Sequence, residues 1–374
     1  MSYIIYFDNA ATSRYKPCEV INAYINYIED IGTSPGRGSY SLAIQASRML
    51  YKCRKTISRF FGNESNNIVF TKNSTEAINL FLNGFLSKGD HVLISSYEHN
   101  AVLRPIHNLK EQGIIEYDVF SDDVLNDVSK INNYINPNTK LLVVTLASNL
   151  TGEIIYSSEL GSKCHDRNIS VLLDASQGGG KKLIDMSIDN IDYLAFTGHK
   201  DMFGLPGVGG LCSKRELTIK PLIQGGTGIH GEYYTNPSVY PDAYESGTLN
   251  MPAIWALKSA TEFIDKNILE INTKEKELTE YLISKLENED NLVVYKPNVN
   301  RISTVCINVL RYSSSDIVSL LDKHGICVRG GIHCAILAHQ TLGTVETGAV
   351  RLSLNYTNTK DEIDEFVNVI RSIK

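Results

Sequence analysis

Short apolar runs alternate with helix-like segments from about residue 66 to residue 215. The apolar runs predict strands at 67–70, 91–94, 141–145, 169–173 and 191–196, and the segments between them predict helices at 76–86 and 101–112. Fully apolar, β-rich runs separated by helices are typical of a mostly parallel sheet covered on both faces. We therefore expect an α/β fold whose ligands bind at the carboxyl ends of the strands.

The chain changes character after about residue 252. A long amphipathic segment, Ala253–Leu286, predicts one helix or two leaving the first unit. Further strands are predicted at 292–295, 303–309, 327–328 and 350–354, with helices at 315–324 and 359–373. The sequence thus predicts a large domain over residues 15–252 and a smaller α+β domain over residues 253–374, which residues 1–14 join.

Charge, apolar-run length and cysteine pattern exclude several classes of partner. The chain has 374 residues and a formal net charge of −6, so no basic surface for nucleic acid is expected. No apolar run reaches membrane-spanning length and the N-terminus has no secretory signal, so we expect a cytoplasmic protein that does not bind membranes. The seven scattered cysteines do not form a disulfide framework, and the adjacent pair Cys164-His165 is unsuited to zinc, so no metal site is expected.

Two ionisable residues follow neighbouring buried runs. Asp174 follows the run at 169–173, and Lys200 follows the run at 191–196, with glycines at 204, 207, 209 and 210 where close approach of a ligand is expected. Taken singly, an aspartate here is more often a cap and a lysine more often a solvated surface group. Together they match pyridoxal 5'-phosphate (PLP), which needs a lysine for covalent attachment and a carboxylate beside its ring nitrogen.

Polar residues follow three other runs as well. Ser74 and Thr75 open a helix whose N–H groups could cradle a phosphate, although a well-capped helix explains them too. His99 could stack on a flat ring or be an ordinary surface histidine, and Asn149 could bind a ligand or occupy a turn. Five strand ends pointing polar groups to one edge favour a binding site over coincidence.

These residues resemble the motifs of class V aminotransferase-fold PLP enzymes, particularly the cysteine desulfurases and the group that includes selenocysteine lyases. The resemblance covers nearly the whole chain and rests on Tyr6–Thr12, Glu98-His99-Asn100, Ser148-Asn149, Asp174-Ala175-Ser176-Gln177, Thr197-Gly198-His199-Lys200 and Glu245-Ser246-Gly247-Thr248. It implies the PLP-dependent transferase type I fold.

One further segment, Val328–Ala335, resembles the desulfurase loop that carries the sulfur-accepting cysteine. Its cysteine is Cys334, which lies in the sequence between Arg329 and Arg351. The positive charge of these arginines favours a thiolate. The segment departs from the family at Ile332, where a second histidine or a small polar residue is common. Gly330-Gly331 predicts an unusually flexible loop.

The resemblance also implies a role for each site residue. Lys200 would carry the cofactor, His99 would stack on its ring, and Asp174 would hold the ring nitrogen. The remaining contacts would come from Ser74, Thr75, Asn149, Gln177, Thr197 and His199 to the cofactor, from Thr248 to the cofactor of a neighbouring subunit, and from Asn149, Arg329 and Arg351 to the substrate. Lys200, Cys334 and His99 would be the catalytic residues of a homodimer.

The implied function is conversion of L-cysteine to L-alanine, with the sulfur held as a persulfide on Cys334. A selenocysteine lyase, or another class V PLP lyase or aminotransferase in which Cys334 is structural, is the alternative. The sulfur acceptor stays open: an iron–sulfur assembly scaffold, a thiolation enzyme and a free thiol all fit.

Overall fold

A seven-stranded sheet forms the centre of the computed structural model, which describes residues 4–36, 38–296 and 298–373. Its strands are β2 (Ile68–Thr71), β3 (Asp90–Ser95), β4 (Ile115–Phe120), β5 (Thr139–Thr145), β6 (Ser170–Asp174), β7 (Tyr193–Thr197) and β8 (Gly209–Ser213). The order is β2-β8-β7-β6-β5-β3-β4, and every pairing is parallel except the two made by β8. The expected mostly parallel sheet is confirmed.

Ten α-helices surround the sheet and complete the second unit within the described residues. They are α1 (Cys18–Asn26), α2 (Ser41–Phe60), α3 (Ser74–Phe85), α4 (Asn100–Glu111), α5 (Asp122–Asn126), α6 (Ser158–His165), α7 (Met251–Leu286), α8 (Ser314–Lys323), α9 (Ile336–Leu342) and α10 (Lys360–Arg371). A π-helical turn at Tyr27–Ile31 follows α1, and 3-10 turns lie at Val128–Asn133 and Asp242–Tyr244. None of the described helices is long and apolar enough to cross a membrane.

The central strands are apolar because helices cover both of their faces. Apolar side chains of β5, β6 and β7 divide between two buried clusters, one on each side of the sheet. Leu142 and Leu173 belong to the first cluster, and Leu141 and Leu172 belong to the second. Alternation along a strand therefore separates two cores rather than a core from solvent, which is why the sequence shows an unbroken apolar run.

The second unit is built on a four-stranded antiparallel sheet. Its strands are β9 (Leu292–Val294), β10 (Thr304–Val309), β12 (Arg329–Gly331) and β13 (Ala349–Ser353), in the order β12-β13-β10-β9. A separate parallel pair joins β1 (Ile5–Tyr6) to β11 (Ile326–Cys327). Phe7 also belongs to the buried cluster of this unit and packs edge-on against Phe366, so the N-terminal segment lies with the C-terminal residues.

The segment predicted as one helix or two is the single helix α7. The first half of α7, from Ile254 to Ile271, packs in the large core, and its last turns, from Leu278 to Leu286, pack in the small one. One continuous helix therefore links both units. The proposed domain limits, 15–252 and 253–374 with 1–14, include residues 1–3, 37, 297 and 374, which lie outside the described residues.

The glycine-rich stretch after Lys200 differs from expectation at its end. Gly209 and Gly210 begin β8 between β7 and β2. A Cβ at Gly209 would lie 2.6 Å from the Phe196 carbonyl oxygen, and one at Gly210 would lie 2.8 Å from that of Val69. These two glycines therefore allow close strand packing and not close approach of a ligand.

Candidate active site

A cavity of about 170 Å³ lies at the carboxyl edge of β2, β3, β5, β6 and β7. Nine of the residues selected from the sequence line it: Ser74, Thr75, His99, Asn149, Asp174, Gln177, Thr197, His199 and Lys200. Asn73, Thr145 and Ser176 complete the lining. The structure thus brings together polar groups from five separate strand ends.

Asp174 and Lys200 sit on adjacent strand tips. Asp174 ends β6, is 2% exposed, and accepts hydrogen bonds from the N–H of Ser176 at 2.9 Å and from the Ser176 hydroxyl. Burial lowers the pKa of Lys200, and the carboxylate of Asp174 opposes that shift. A lowered pKa leaves more of the amine neutral at working pH, which is the form that can attack a carbonyl or take a proton.

His99 is the N-cap of α4 and lines the cavity in a defined tautomer. Its Nδ1 accepts a hydrogen bond from the N–H of Ala101 at 3.0 Å, which places the ring proton on Nε2. Burial, followed by the positive charge of Lys200, lowers the pKa of His99 to about 4. The ring is therefore uncharged near neutral pH and presents a flat, neutral face.

Donors for an anion meet at the N-terminus of α3. Asn73 caps this helix by accepting from the N–H of Glu76 at 3.0 Å, which leaves the first-turn N–H groups near Ser74 and Thr75 for another acceptor. The Thr197 hydroxyl is buried and has no hydrogen-bond partner within the described part of the chain. Burial lowers the pKa of His199, on the same edge, to about 4.

Arg351 lies just outside the cavity and contacts its wall. It is the third residue of β13, and it is 1% exposed. Its Nη1 donates to the Asn149 carbonyl oxygen at 3.0 Å, and its Nη2 contacts Asp8 Oδ1 at 2.6 Å. Arg329 stands opposite it on β12. Burial lowers the pKa of Arg351, although a guanidinium keeps its charge near neutral pH.

Cys334 is half-buried in the turn that follows β12, and this turn is attached to the cavity. The Cys334 carbonyl oxygen accepts from the N–H of Asn100 at 2.8 Å, next to His99. The His333 carbonyl oxygen accepts from Asn149 Nδ2 at 2.7 Å. His333 and Cys334 have φ angles of 55° and 56°, in the left-handed region that non-glycine residues rarely occupy.

Two buried histidines, His333 and His339, pack against each other at the Cys334 turn. His333 Nε2 lies 3.0 Å from the Arg329 carbonyl oxygen, and its ring stacks on that of His339 with centroids 5.7 Å apart. Because a carbonyl only accepts, the proton of His333 is on Nε2. His339 Nδ1 lies 2.7 Å from the Thr344 hydroxyl. Burial lowers the pKa of His333 to about 3, so the ring is neutral in this network.

The expectation that Gly330-Gly331 makes a flexible loop is wrong. Both residues belong to β12, opposite Val350 and Ala349 of β13. A Cβ at Gly330 would lie 2.8 Å from Val318 Cγ2 of α8. Glycine at that position permits close packing of the helix on the strand, so flexibility is not its role.

Thr248 does not line the cavity. It is exposed and borders a separate cavity of about 260 Å³. The segment that carries it is anchored by Glu245, whose carboxylate accepts from both terminal nitrogens of Arg54 and from the N–H of Phe70. Within one chain, then, this segment is fixed next to β2 and apart from Lys200.

Polar residues of the site beyond those predicted from the sequence include Ser176, Glu98 and Asp8, besides Asn73 and Thr145 of the cavity lining. Ser176 stands within the quoted Asp174–Gln177 motif, and its hydroxyl lies 2.7 Å from that of Ser74. Glu98, next to His99, is fully buried, and burial raises its pKa to about 8. Asp8 stands within the quoted N-terminal motif. Its contact with Arg351 spans 343 residues, and no local pattern could reveal it.

Comparisons with known proteins agree with this geometry. The Aminotransferase class-V family model matches residues 5–366. A probable cysteine desulfurase of Methanothermobacter thermautotrophicus is 32% identical over 96% of this chain and 92% of its own length. One of Pyrococcus abyssi is 32% identical over 99% of this chain and 94% of its own length.

Solved structures give the same result. The apo cysteine desulfurase of Thermococcus onnurineus superposes with a TM-score of 0.91 at 29% identity, covering 99% of this chain and 94% of that one. A cysteine desulfurase of Escherichia coli gives a TM-score of 0.88 at 26% identity, covering 98% and 94%. The family match spans nearly the whole chain, and the chain belongs to the cysteine desulfurase family of class-V aminotransferases.

Proposed function

We propose that this protein is a PLP-dependent cysteine desulfurase that converts L-cysteine to L-alanine and holds the sulfur as a persulfide on Cys334. The observation that carries the proposal is the attachment of the Cys334 turn to the cavity. One backbone bond joins it to Asn100 beside His99, and one side-chain bond joins it to Asn149 in the cavity wall. These bonds support a role for the Cys334 thiol at a site suited to amino acid chemistry.

The cavity fits PLP by the polar atoms it leaves unsatisfied. Gln177 Oε1, Asn149 Oδ1 and the Thr197 hydroxyl are buried, and none has a hydrogen-bond partner among the described residues. Orphaned buried polar atoms are costly, and native sites normally satisfy them with a ligand or with water. A ring hydroxyl beside Gln177 and a phosphate beside Thr197 would satisfy two of them.

When bound, PLP supplies an electron sink for the carbanion formed at the substrate Cα. Lys200 Nζ would hold the cofactor, and its lowered pKa would let the free amine act as a base toward the substrate α-proton. Asp174 would accept a hydrogen bond from the ring nitrogen of the cofactor and would favour its protonated form. Ser176, which donates to Asp174 twice, fixes the carboxylate in orientation. His99 would stack its neutral face on the cofactor ring.

Arg351 and Asn149 bind the substrate carboxylate in this proposal. Among the residues that the structure describes, Arg351 Nε has no partner, and further N–H groups remain after its bonds to Asn149 and Asp8. A planar guanidinium can offer two parallel donors to a carboxylate, which orients as well as binds it. Arg329 adds a second positive charge opposite Arg351.

Cys334 Sγ, as the thiolate, attacks the substrate sulfur. A sulfur–sulfur bond forms while the Cβ–S bond of the substrate breaks, and Cβ leaves with that electron pair and takes up a proton. L-Alanine departs, and Cys334 keeps the extra sulfur for an acceptor, for which we propose a thiol of an iron–sulfur assembly or thiolation protein.

We further propose a homodimer in which Thr248 reaches the cofactor phosphate of the partner. Thr248 is exposed, and the Arg54–Glu245 ion pair anchors its segment. Both observations support contact between this surface and a second copy of the chain. A cytoplasmic location agrees with seven cysteines that are all unpaired.

Alanine release from L-cysteine tests the function. Cys334→Ala should lose activity by orders of magnitude while still binding PLP, because Lys200 and Asp174 remain. Cys327→Ala is the matched control, since Cys327 is also a half-buried free thiol of the same unit. With L-selenocysteine the Cys334→Ala defect should be milder, because selenium leaves more readily. Full L-cysteine activity in Cys334→Ala would favour the alternative, a PLP lyase in which this cysteine is structural.

A further inference from the structure

The N-terminal segment 7–13 crosses from the small unit to the large one and forms hydrogen bonds with residues of both units. The N–H of Asn9 donates to the Ser353 carbonyl oxygen at 3.3 Å on the small side. Gln177 Nε2 then donates to the Ala10 carbonyl oxygen at 2.8 Å. The N–H of Ser13 donates to the His199 carbonyl oxygen at 3.0 Å. The segment is therefore fixed beside the substrate and cofactor residues.

Asp8 meets the substrate arginine at the start of this segment. Its Oδ1 lies 2.6 Å from Arg351 Nη2, and its side chain is 20% exposed whereas that of Arg351 is 1% exposed. The contact is the only ion pair of Arg351 among the described residues. The Arg351 guanidinium, which is proposed to bind the substrate, thus already binds the carboxylate of Asp8.

Arg351 and Arg329 face each other across β13 and β12 as register partners. Like charges directly opposite on neighbouring strands destabilise a sheet, and Asp8 offsets this repulsion. Two guanidinium groups and one carboxylate leave one net positive charge. That charge is balanced by the α-carboxylate of an amino acid whose side chain carries no charge.

We propose that Asp8 is a specificity-determining residue, which sets the charge of the Arg351–Arg329 clamp so that amino acids with an uncharged side chain are preferred over those with an anionic one. The inference rests on the proposed role of Arg351 as the carboxylate clamp. Asp8 excludes a second negative charge by repulsion, in addition to orienting Arg351 through their hydrogen bond.

The test compares two ligands that differ by one charge at nearly constant shape, L-aspartate and L-asparagine. Their dissociation constants are measured on the PLP-loaded enzyme by calorimetry, so no turnover is involved. Asp8→Asn should improve binding of L-aspartate relative to L-asparagine by about tenfold or more at low salt, since at an effective dielectric constant near 20 two unit charges about 12 Å apart already interact by the energy of a tenfold effect. The gain should shrink as salt is added.

Two control variants isolate the charge. Asp8→Glu keeps the carboxylate and should keep the wild-type ratio of the two constants. Asp265→Asn removes one negative charge from the exposed face of α7 and should leave the ratio within about twofold. An unchanged ratio in Asp8→Asn, including the case where both ligands bind more weakly, would overturn the proposal and leave Asp8 a residue that only positions Arg351.

Arg351→Lys separates this inference from the proposed function. If that variant binds L-asparagine as tightly as the wild type, Arg351 is not the clamp, and both the substrate assignment and the role of Asp8 fail. If Arg351→Lys weakens binding while Asp8→Asn leaves the ratio unchanged, the clamp stands and the assignment to Asp8 alone is wrong.

Discussion

Replacing Lys181 by methionine should destabilise the protein strongly, because this lysine forms ion pairs with two buried carboxylates. Its Nζ lies 3.3 Å from Asp201 Oδ1 and 2.9 Å from Glu275 Oε2, and the three side chains are 6%, 5% and 4% exposed. Asp201 directly follows Lys200, whereas Glu275 stands on α7 where it enters the small unit. The cluster thus ties the Lys200 segment to the helix that links both cores.

The magnitude follows from what the substitution leaves behind. Removing one partner of a buried ion pair typically costs about 3–5 kcal/mol, since the remaining charge is left without compensation. Asp201 keeps a bond from the N–H of Gly178 at 2.6 Å, and Glu275 keeps one from the Ser303 hydroxyl at 2.7 Å. We therefore expect the lower end of that range, about 3 kcal/mol at neutral pH.

The loss should depend on pH in a defined direction. Burial raises the pKa of Glu275 and Lys181 opposes this, so the pKa rises further in Lys181→Met. The folded variant then binds a proton that the unfolded chain releases, and its stability falls as pH rises. The difference from wild type should be larger at about pH 8 than at about pH 6, because protonation of Glu275 relieves the unpaired charge at the lower pH.

Urea unfolding at fixed protein concentration measures the effect. Lys182→Met is the matched control, since the neighbouring lysine is exposed and should change the free energy of unfolding by less than about 0.5 kcal/mol. A loss in Lys181→Met no larger than that of the control, or one that grows as pH falls, would refute the electrostatic reasoning.

Three further predictions follow from the site. Borohydride reduction of the PLP-loaded enzyme should label Lys200, and a label mapped to any other lysine would contradict its assignment. Asp174→Asn should lower turnover by orders of magnitude while PLP still binds, since an amide cannot match the charge of the carboxylate beside the ring nitrogen; near-wild-type turnover would remove Asp174 from the mechanism. Sedimentation at assay concentration should show a dimer, and an active monomer would leave Thr248 as a turn residue.

The strand ends of the large unit could be predicted because their signal is local. An apolar run followed by a polar tip places Asp174 and Lys200 at one edge of a parallel sheet without knowledge of any distant contact. The family motifs added Cys334 and Arg351. The sequence does not predict helices α1 and α2, nor the antiparallel strand β8, whose glycines by themselves indicate a ligand contact.

What the sequence could not show depends on contacts between distant segments. Gly330 is required by the approach of Val318, and Asp8 meets Arg351 only because β1 joins the small unit. The packing of Lys181 between Asp201 and Glu275 likewise joins three elements that are far apart in the chain. No periodicity or spacing of residues in the sequence indicates contacts of this kind.

The central claim is that Cys334 accepts the sulfur, and peptide mapping by mass spectrometry tests it most directly. The PLP-loaded enzyme is treated with L-cysteine in the absence of reductant, alkylated and digested, alongside the Cys334→Ala variant. We predict one additional sulfur on the peptide that contains Cys334, and none on the other six cysteines of either protein. A persulfide on another cysteine, or alanine release from wild type with Cys334 unmodified throughout, would contradict the account.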